Sequence, residues 1–147
     1  MSIPDTILVA VCPFGPDLSA ALAAETIARG ILAAGRPEPD LCPLEDDLGG
    51  SCGGALGAAL KAIRFDKRLR NARAVIVGAG RLSRETLPGS PLFEVATRAR
   101  QAGVPAYAVT ARNELDPFDA RMLDLQVVLE VSPRRLTTAG RRLAEIA

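Results

Sequence analysis

Short apolar runs alternating with helix-patterned segments predict an α/β fold: a three-layer α/β/α sandwich around a mostly parallel sheet of about five strands. Three observations carry this reading. The runs ILVAVC (7–12) and ARAVIV (72–77) are continuous rather than alternating, as in strands covered on both faces. Glycine, proline and capping residues punctuate the chain between the runs and the helical segments. The strand-then-helix order recurs to the end of the sequence, which implies parallel strands joined by right-handed crossovers.

The elements follow in order. Ile7 to Cys12 is the first strand, and Pro13, Gly15 and Pro16 force a loop after it. Ser19 is placed to cap a helix in which Leu22, Ile27 and Ile31 lean to one side, with Gly35 at its C′ position. Asp40 to Leu44 reads as a weaker second strand. The stretch DDLGGSCGG (46–54) carries four glycines in nine residues and reads as a loop. ALGAALKAI is expected to be a small-residue helix and FDKRLRNA a short helical segment. Ala74 to Val77 is the third and strongest strand, with a loop expected from Gly78 onward. Pro91 suits the first turn of a helix that Gly103 ends. Pro105 to Thr110 is a fourth strand, Asp116 to Leu125 a short helix, and Gln126 to Val131 a fifth strand. Ser132 as cap and Pro133 at N1 then open a closing helix. No linker or repeat interrupts the pattern, so residues 1–147 read as a single domain of the Rossmann or flavodoxin-like kind.

Composition narrows the function. A chain of 147 residues can bury roughly two-thirds of its extended surface, enough for a core without metals or disulfides. The net charge is +1, and there is one tyrosine and no tryptophan. That balance argues against nucleic-acid binding, which needs a basic face and stacking platforms. The basic groups Lys67, Arg68, Arg70, Arg73 and Arg134, Arg135, Arg141, Arg142 read as solvated helix faces. Three cysteines without metal spacing fit reduced thiols, and no run reaches membrane-spanning length, so a cytoplasmic protein without membrane contact is expected. Histidine is absent, which removes a histidine-based triad and a histidine general base.

In open α/β sheets ligands bind beyond the carboxyl ends of the strands, where the strand order reverses. In a 2-1-3-4-5 order this lies between the first and third strands. The segment GAGRLSRETLPGSP (78–91) leaves the third strand there. Gly78 and Gly80 would expose backbone N–H groups, Arg81 offers a planar fork of donors for carboxylate or phosphate, and Ser83 and Thr86 add neutral donors. The segment is neither a P-loop nor a dinucleotide fingerprint, since no GK[ST] follows and Ser83 stands where the third glycine belongs. A purely structural turn remains the alternative.

The stretch FDKRLRNARAVIVGAGRLSRETLPGSPLFEVATRARQAGVPAYAVTA resembles the C-terminal core of the bacterial glycerate kinases, most specifically at Gly78, Gly80, Arg81, Leu82, Thr86, Leu87 and Gly89. GGALGAAL is similar to a glycine-rich helix start in that family, residues 7–35 to its first strand–loop–helix unit, and VVLEVSPRRLTTAGRRLA to its ending. The resemblance implies ATP and Mg²⁺ as cofactors wherever activity survives. It also implies a second domain, inserted in the family between the parts that correspond to residues 1–48 and 49–147, which completes the active-site cleft. This chain departs from the family where charge is concerned. Cys12 and Gly15 stand in place of an acid and a lysine, Ala79 and Ser83 in place of Glu and Asp, and Pro88 and Ser90 in place of His and Lys. Phosphoryl transfer depends on such charges.

The first expectation is a catalytically impaired relative that binds a small anionic metabolite, phosphate or a partner protein at the carboxyl-edge loops. A minimal Mg²⁺-dependent kinase of glycerate or another hydroxy acid is the alternative, with Asp46 and Asp47 as metal ligands. A second alternative centres on Cys12: VCPFGPDLS is similar to phosphocysteine carriers, although Leu18 stands where the related phosphatases need arginine. Association with a second copy as a homodimer, or with a separately encoded partner, is a further expectation.

Overall fold

A computed structural model describes residues 4–44, 60, 64–84 and 90–147. The strands are β1 (Ile7–Val11), β2 (Asp40–Leu41), β3 (Ala74–Leu82), β4 (Ala106–Asn113) and β5 (Leu125–Glu130). They form one sheet in the order β2-β1-β3-β4-β5, and every neighbouring pair is parallel. All five therefore end at one carboxyl edge, and the order reverses between β1 and β3. Every residue of β1 is buried, as its uninterrupted apolar run requires.

Helices α1 (Ala20–Ala33) and α5 (Leu136–Ile146) cover one face. There Ile7, Val9, Val11, Ile76 and Val109 of the sheet meet Ala23, Ile27, Ile31, Leu136 and Leu143. On the other face α2 (Phe65–Arg70) and α3 (Pro91–Ala102) place Phe65, Leu69, Leu92 and Val95 over Leu8, Val75 and Val77. A short α4 (Pro117–Met122) lies beside the edge strand β5, and Phe118 and Met122 on it are exposed.

Capping explains the helix boundaries. The Ser19 hydroxyl accepts from Leu22 N–H and Ser90 from Phe93 N–H. Pro91 opens α3 and Gly103 closes it in the left-handed conformation, at φ 73°. Asp116 and Asp119 form a reciprocal capping box around α4.

Several boundaries differ from expectation. Strand β3 runs to Leu82 and β4 to Asn113, so both extend past their apolar runs. Strand β2 is only two residues long, although Cys42 and Leu44 still donate to Val9 and Val11 of β1. The short helix ends at Met122, before Leu125, which opens β5. Leu22 is exposed, because the buried face follows the four-residue spacing Ala20, Ala24, Ala28 and Ala23, Ile27, Ile31. Ser132 makes no side-chain cap: Pro133–Arg135 form a 3₁₀ turn, and the α-helix begins at Leu136. The helix expected over 55–63 lies outside the described residues apart from Leu60, which is buried.

Helices α1 and α5 touch through glycine. A Cβ built on Gly30 would collide with the Thr137 carbonyl, and one on Gly140 with the Ile27 carbonyl. Alanine at either site gains about 1 kcal/mol of helix propensity. It also meets backbone atoms that cannot swing aside, an overpacking cost of about 1–3 kcal/mol or more. The steric term wins. Gly30→Ala is expected to lower stability by about 2 kcal/mol in urea unfolding, on the same scale.

Candidate functional site

The loop that leaves β1 runs from Cys12 to Leu18 at the switch point. It folds onto β3. Cys12 N–H donates to Gly78 O at 2.8 Å, and Gly80 N–H donates to Pro13 O at 3.3 Å. Within the loop, Phe14 N–H donates to Leu18 O and Leu18 N–H to Gly15 O. Phe14 is buried and packs into the face formed by Val9, Val11, Ile76 and Val109.

This changes the role of the two glycines. Gly78 and Gly80 lie inside β3, not in a loop, and neither has positive φ. A Cβ on Gly78 would stand 2.9 Å from Val109 O and 3.2 Å from the Phe14 ring, and one on Gly80 would stand 2.8 Å from Phe14 O. Glycine is needed here so that the 12–18 loop can lie against the strand. The N–H groups expected to stand open at Gly78 and Gly80 are engaged in this structure: Gly78 lies in the β1–β3–β4 ladder, and Gly80 N–H donates to Pro13 O.

Arg81 lies beyond that contact, next to last in β3, with its side chain 51% exposed. The register pairs Arg81 with Arg112 of β4, which sets both side chains on the same face of the sheet. Glu114 follows the end of β4, and its N–H donates to Leu82 O at 2.8 Å, fixing it beside Arg81. Arg81 Nε donates to Glu114 Oε1 at 3.0 Å and its NH2 to Oε2 at 2.7 Å. Arg112 Nε lies 2.6 Å from the same Oε1. Hydrogen bonding from Arg81 holds the Glu114 carboxyl below the usual carboxylate range; partial burial opposes this and the charge of Arg112 reinforces it.

The surroundings brace the cluster. Asn113 N–H donates to Glu130 Oε2 at 2.6 Å, tying the ends of β4 and β5. Leu115 N–H donates to Asn113 Oδ1, a local turn that turns the chain away from the sheet. Thr110 is fully buried, and its hydroxyl bonds with Arg112 N–H and the Arg112 carbonyl. Arg84 contributes a third guanidinium at this edge, 3.8 Å from Asp119. Ser83 is fully buried, so its hydroxyl is withdrawn from the surface. Thr86, Asp46 and Asp47 lie outside the described residues. Among the described residues no cluster of three or more His, Cys, Asp or Glu could hold a metal ion.

Two thiols, Cys12 and Cys42, lie among the described residues. Cys42 is buried, and burial pushes its thiol up, with Arg68 partly offsetting it. Cys12 is half-buried at the start of the 12–18 loop. Two of that loop's amides already donate to its own carbonyls, so they are not turned toward the sulfur.

Sequence reasoning missed Phe14, Arg112 and Glu114. The available signal was TARNE (110–114), charged residues directly after an apolar run, where ligands of α/β sheets bind.

A model of the glycerate kinase family matches residues 48–143. The first strand–loop–helix unit precedes the matched stretch. The structure is similar to that of a Salmonella typhimurium LT2 protein assigned as glycerate kinase 2, with 16% sequence identity and a TM-score of 0.46. The similarity covers 74% of this chain and 27% of that one, so the chain spans little more than a quarter of that relative's length. No curated protein matches the chain. Among the described residues no helix is long and apolar enough to cross a membrane. Because the family match runs over most of the residues, from 48 to 143, the chain belongs to the glycerate kinase family.

Proposed function

We propose that this chain is a catalytically impaired member of the family that binds a small anionic metabolite at the carboxyl edge, with Arg81 as the main anchor. The observation that carries this reading is the position of Arg81: a half-exposed guanidinium at the carboxyl end of a central strand, next to the strand-order reversal. A planar fork of donors at that place matches carboxylate or phosphate. Strand β1 contributes no charged group to the edge, because Cys12, Pro13 and Phe14 follow it directly and Phe14 fills the space against β3.

Impairment follows from chemistry. A phosphoryl-transfer site works by positioning the phosphates and offsetting developing charge, and loss of one such group commonly costs about a hundredfold to a thousandfold in rate. Cys12, Gly15, Ala79, Ser83, Pro88 and Ser90 are neutral where the resemblance implies charge. Backbone glycines and Arg81 are what remains. The kinase alternative rests on Asp46 and Asp47 as ligands for Mg²⁺, and the carrier alternative on Cys12.

Calorimetry with D-glycerate and 3-phosphoglycerate tests binding. Arg81→Gln is expected to weaken whichever anion binds by about tenfold or more, the usual worth of hydrogen bonds to a charged group. No heat from either compound, together with an unchanged thermal midpoint, sinks the proposal. In an ADP-release assay with glycerate, ATP and Mg²⁺, turnover is expected at the level of the blank; turnover that Asp46→Asn abolishes would establish the kinase instead. Iodoacetamide near neutral pH is expected to leave Cys42 unlabelled and to label Cys12 no faster than a free thiol. Rapid, selective labelling of Cys12 would favour the carrier reading.

A further inference from the structure

We propose that Arg81 and Arg112 together form a clamp for one carboxylate, and that Glu114 is a built-in competitor occupying that clamp in place of the ligand. The inference rests on the anion-binding reading above and adds a second arm and a gate to it.

The geometry points to carboxylate chemistry. Arg81 grips Glu114 side-on, with Nε on one oxygen and NH2 on the other, at 3.0 and 2.7 Å. Arg112 Nε approaches the first oxygen from β4 at 2.6 Å. Three donors thus lie around a planar two-oxygen acceptor, an arrangement suited to carboxylate. The clamp is assembled by strand register and not by flexible loops, since Arg81 and Arg112 are paired residues of adjacent strands. The backbone bond from Glu114 N–H to Leu82 O keeps the internal carboxylate within reach, at an effectively high local concentration.

Structural duty does not account for the arrangement. Both guanidinium groups are well exposed, 51% for Arg81 and 73% for Arg112, and exposed ion pairs hold folds together only weakly. The ends of β3 and β4 are already fixed by main-chain bonds and by Glu130. An external carboxylate would take over the same three donors and release Glu114 to solvent. Because the internal group is tethered, only a ligand with further contacts along the edge, such as a hydroxy acid, displaces it at modest concentration. A third guanidinium, Arg84, lies on the segment after β3 at the same edge.

The test is calorimetric titration of the full chain with D-glycerate, with glycerol and inorganic phosphate as comparison probes. Circular dichroism and the thermal midpoint establish that each variant is folded. Glu114→Gln keeps the shape but removes the competing charge, and should bind glycerate about tenfold more tightly than the wild type. Arg112→Gln should bind about tenfold more weakly, with Arg112→Lys recovering only part of the loss because the fork is gone. Glycerol should not bind to any form, and phosphate should gain less than glycerate from Glu114→Gln. Wild-type affinity in both Glu114→Gln and Arg112→Gln, with binding lost only in Arg81→Gln, overturns the clamp and leaves the anion-binding reading standing. Silence from every form, Glu114→Gln included, overturns both. A larger gain for phosphate than for glycerate also overturns the carboxylate assignment.

Discussion

The structure depends on a close approach: the loop leaving β1 lies directly on β3, and it can do so only because Gly78 and Gly80 carry no side chain. Phe14 main-chain and ring atoms come within 3.2 Å of where those side chains would begin. The contact joins the two strands that flank the reversal of strand order, and it buries Phe14 in the core shared with α1 and α5. An open α/β sheet ordinarily leaves a crevice at that point. Here Phe14 lies against β3 on the face shared with α1 and α5, and among the described residues Arg81 of β3 meets its charged partners on the β4 side.

That close approach ties the fold to the proposed function. Arg81 lies one residue past the second glycine, so the stretch of β3 that accommodates Phe14 also carries the guanidinium to the rim. Arg112 and Glu114 are brought to it by the β3–β4 register and by the Leu82 carbonyl. An acid between two arginines leaves the exposed cluster with a net charge of +1. On the proposed reading, neutral residues stand at Cys12, Gly15, Ala79, Ser83, Pro88 and Ser90, and a carboxylate-sized site lies between Arg81 and Arg112.

Much of the fold was legible in the sequence because it is written in local signals. The apolar runs of β1 and β3 are uninterrupted, Ser19, Pro91 and Gly103 mark helix ends, and strand–helix alternation leaves few topologies to consider. The order β2-β1-β3-β4-β5 agrees with the order used to place the site. The site was less legible. Glycine after an apolar run can mean a turn or a close approach, and only the partner, Phe14, distinguishes them. Arg112 and Glu114 are 31 and 33 residues from Arg81, and their meeting is fixed by register, which composition and spacing do not encode. Ser132 shows the same limit at a helix start: the residue type favours a cap, but Pro133 opens a 3₁₀ turn and the Ser132 side chain makes no capping bond.

A crystal structure of the chain soaked with D-glycerate would decide whether the two arginines hold a ligand carboxylate. Ligand carboxylate density is expected between Arg81 and Arg112, with Glu114 turned away toward solvent and Phe14 still packed against Gly78 and Gly80. Glycerate seated between β1 and β3 with Phe14 expelled, and the Arg81–Glu114–Arg112 cluster unchanged, would contradict it.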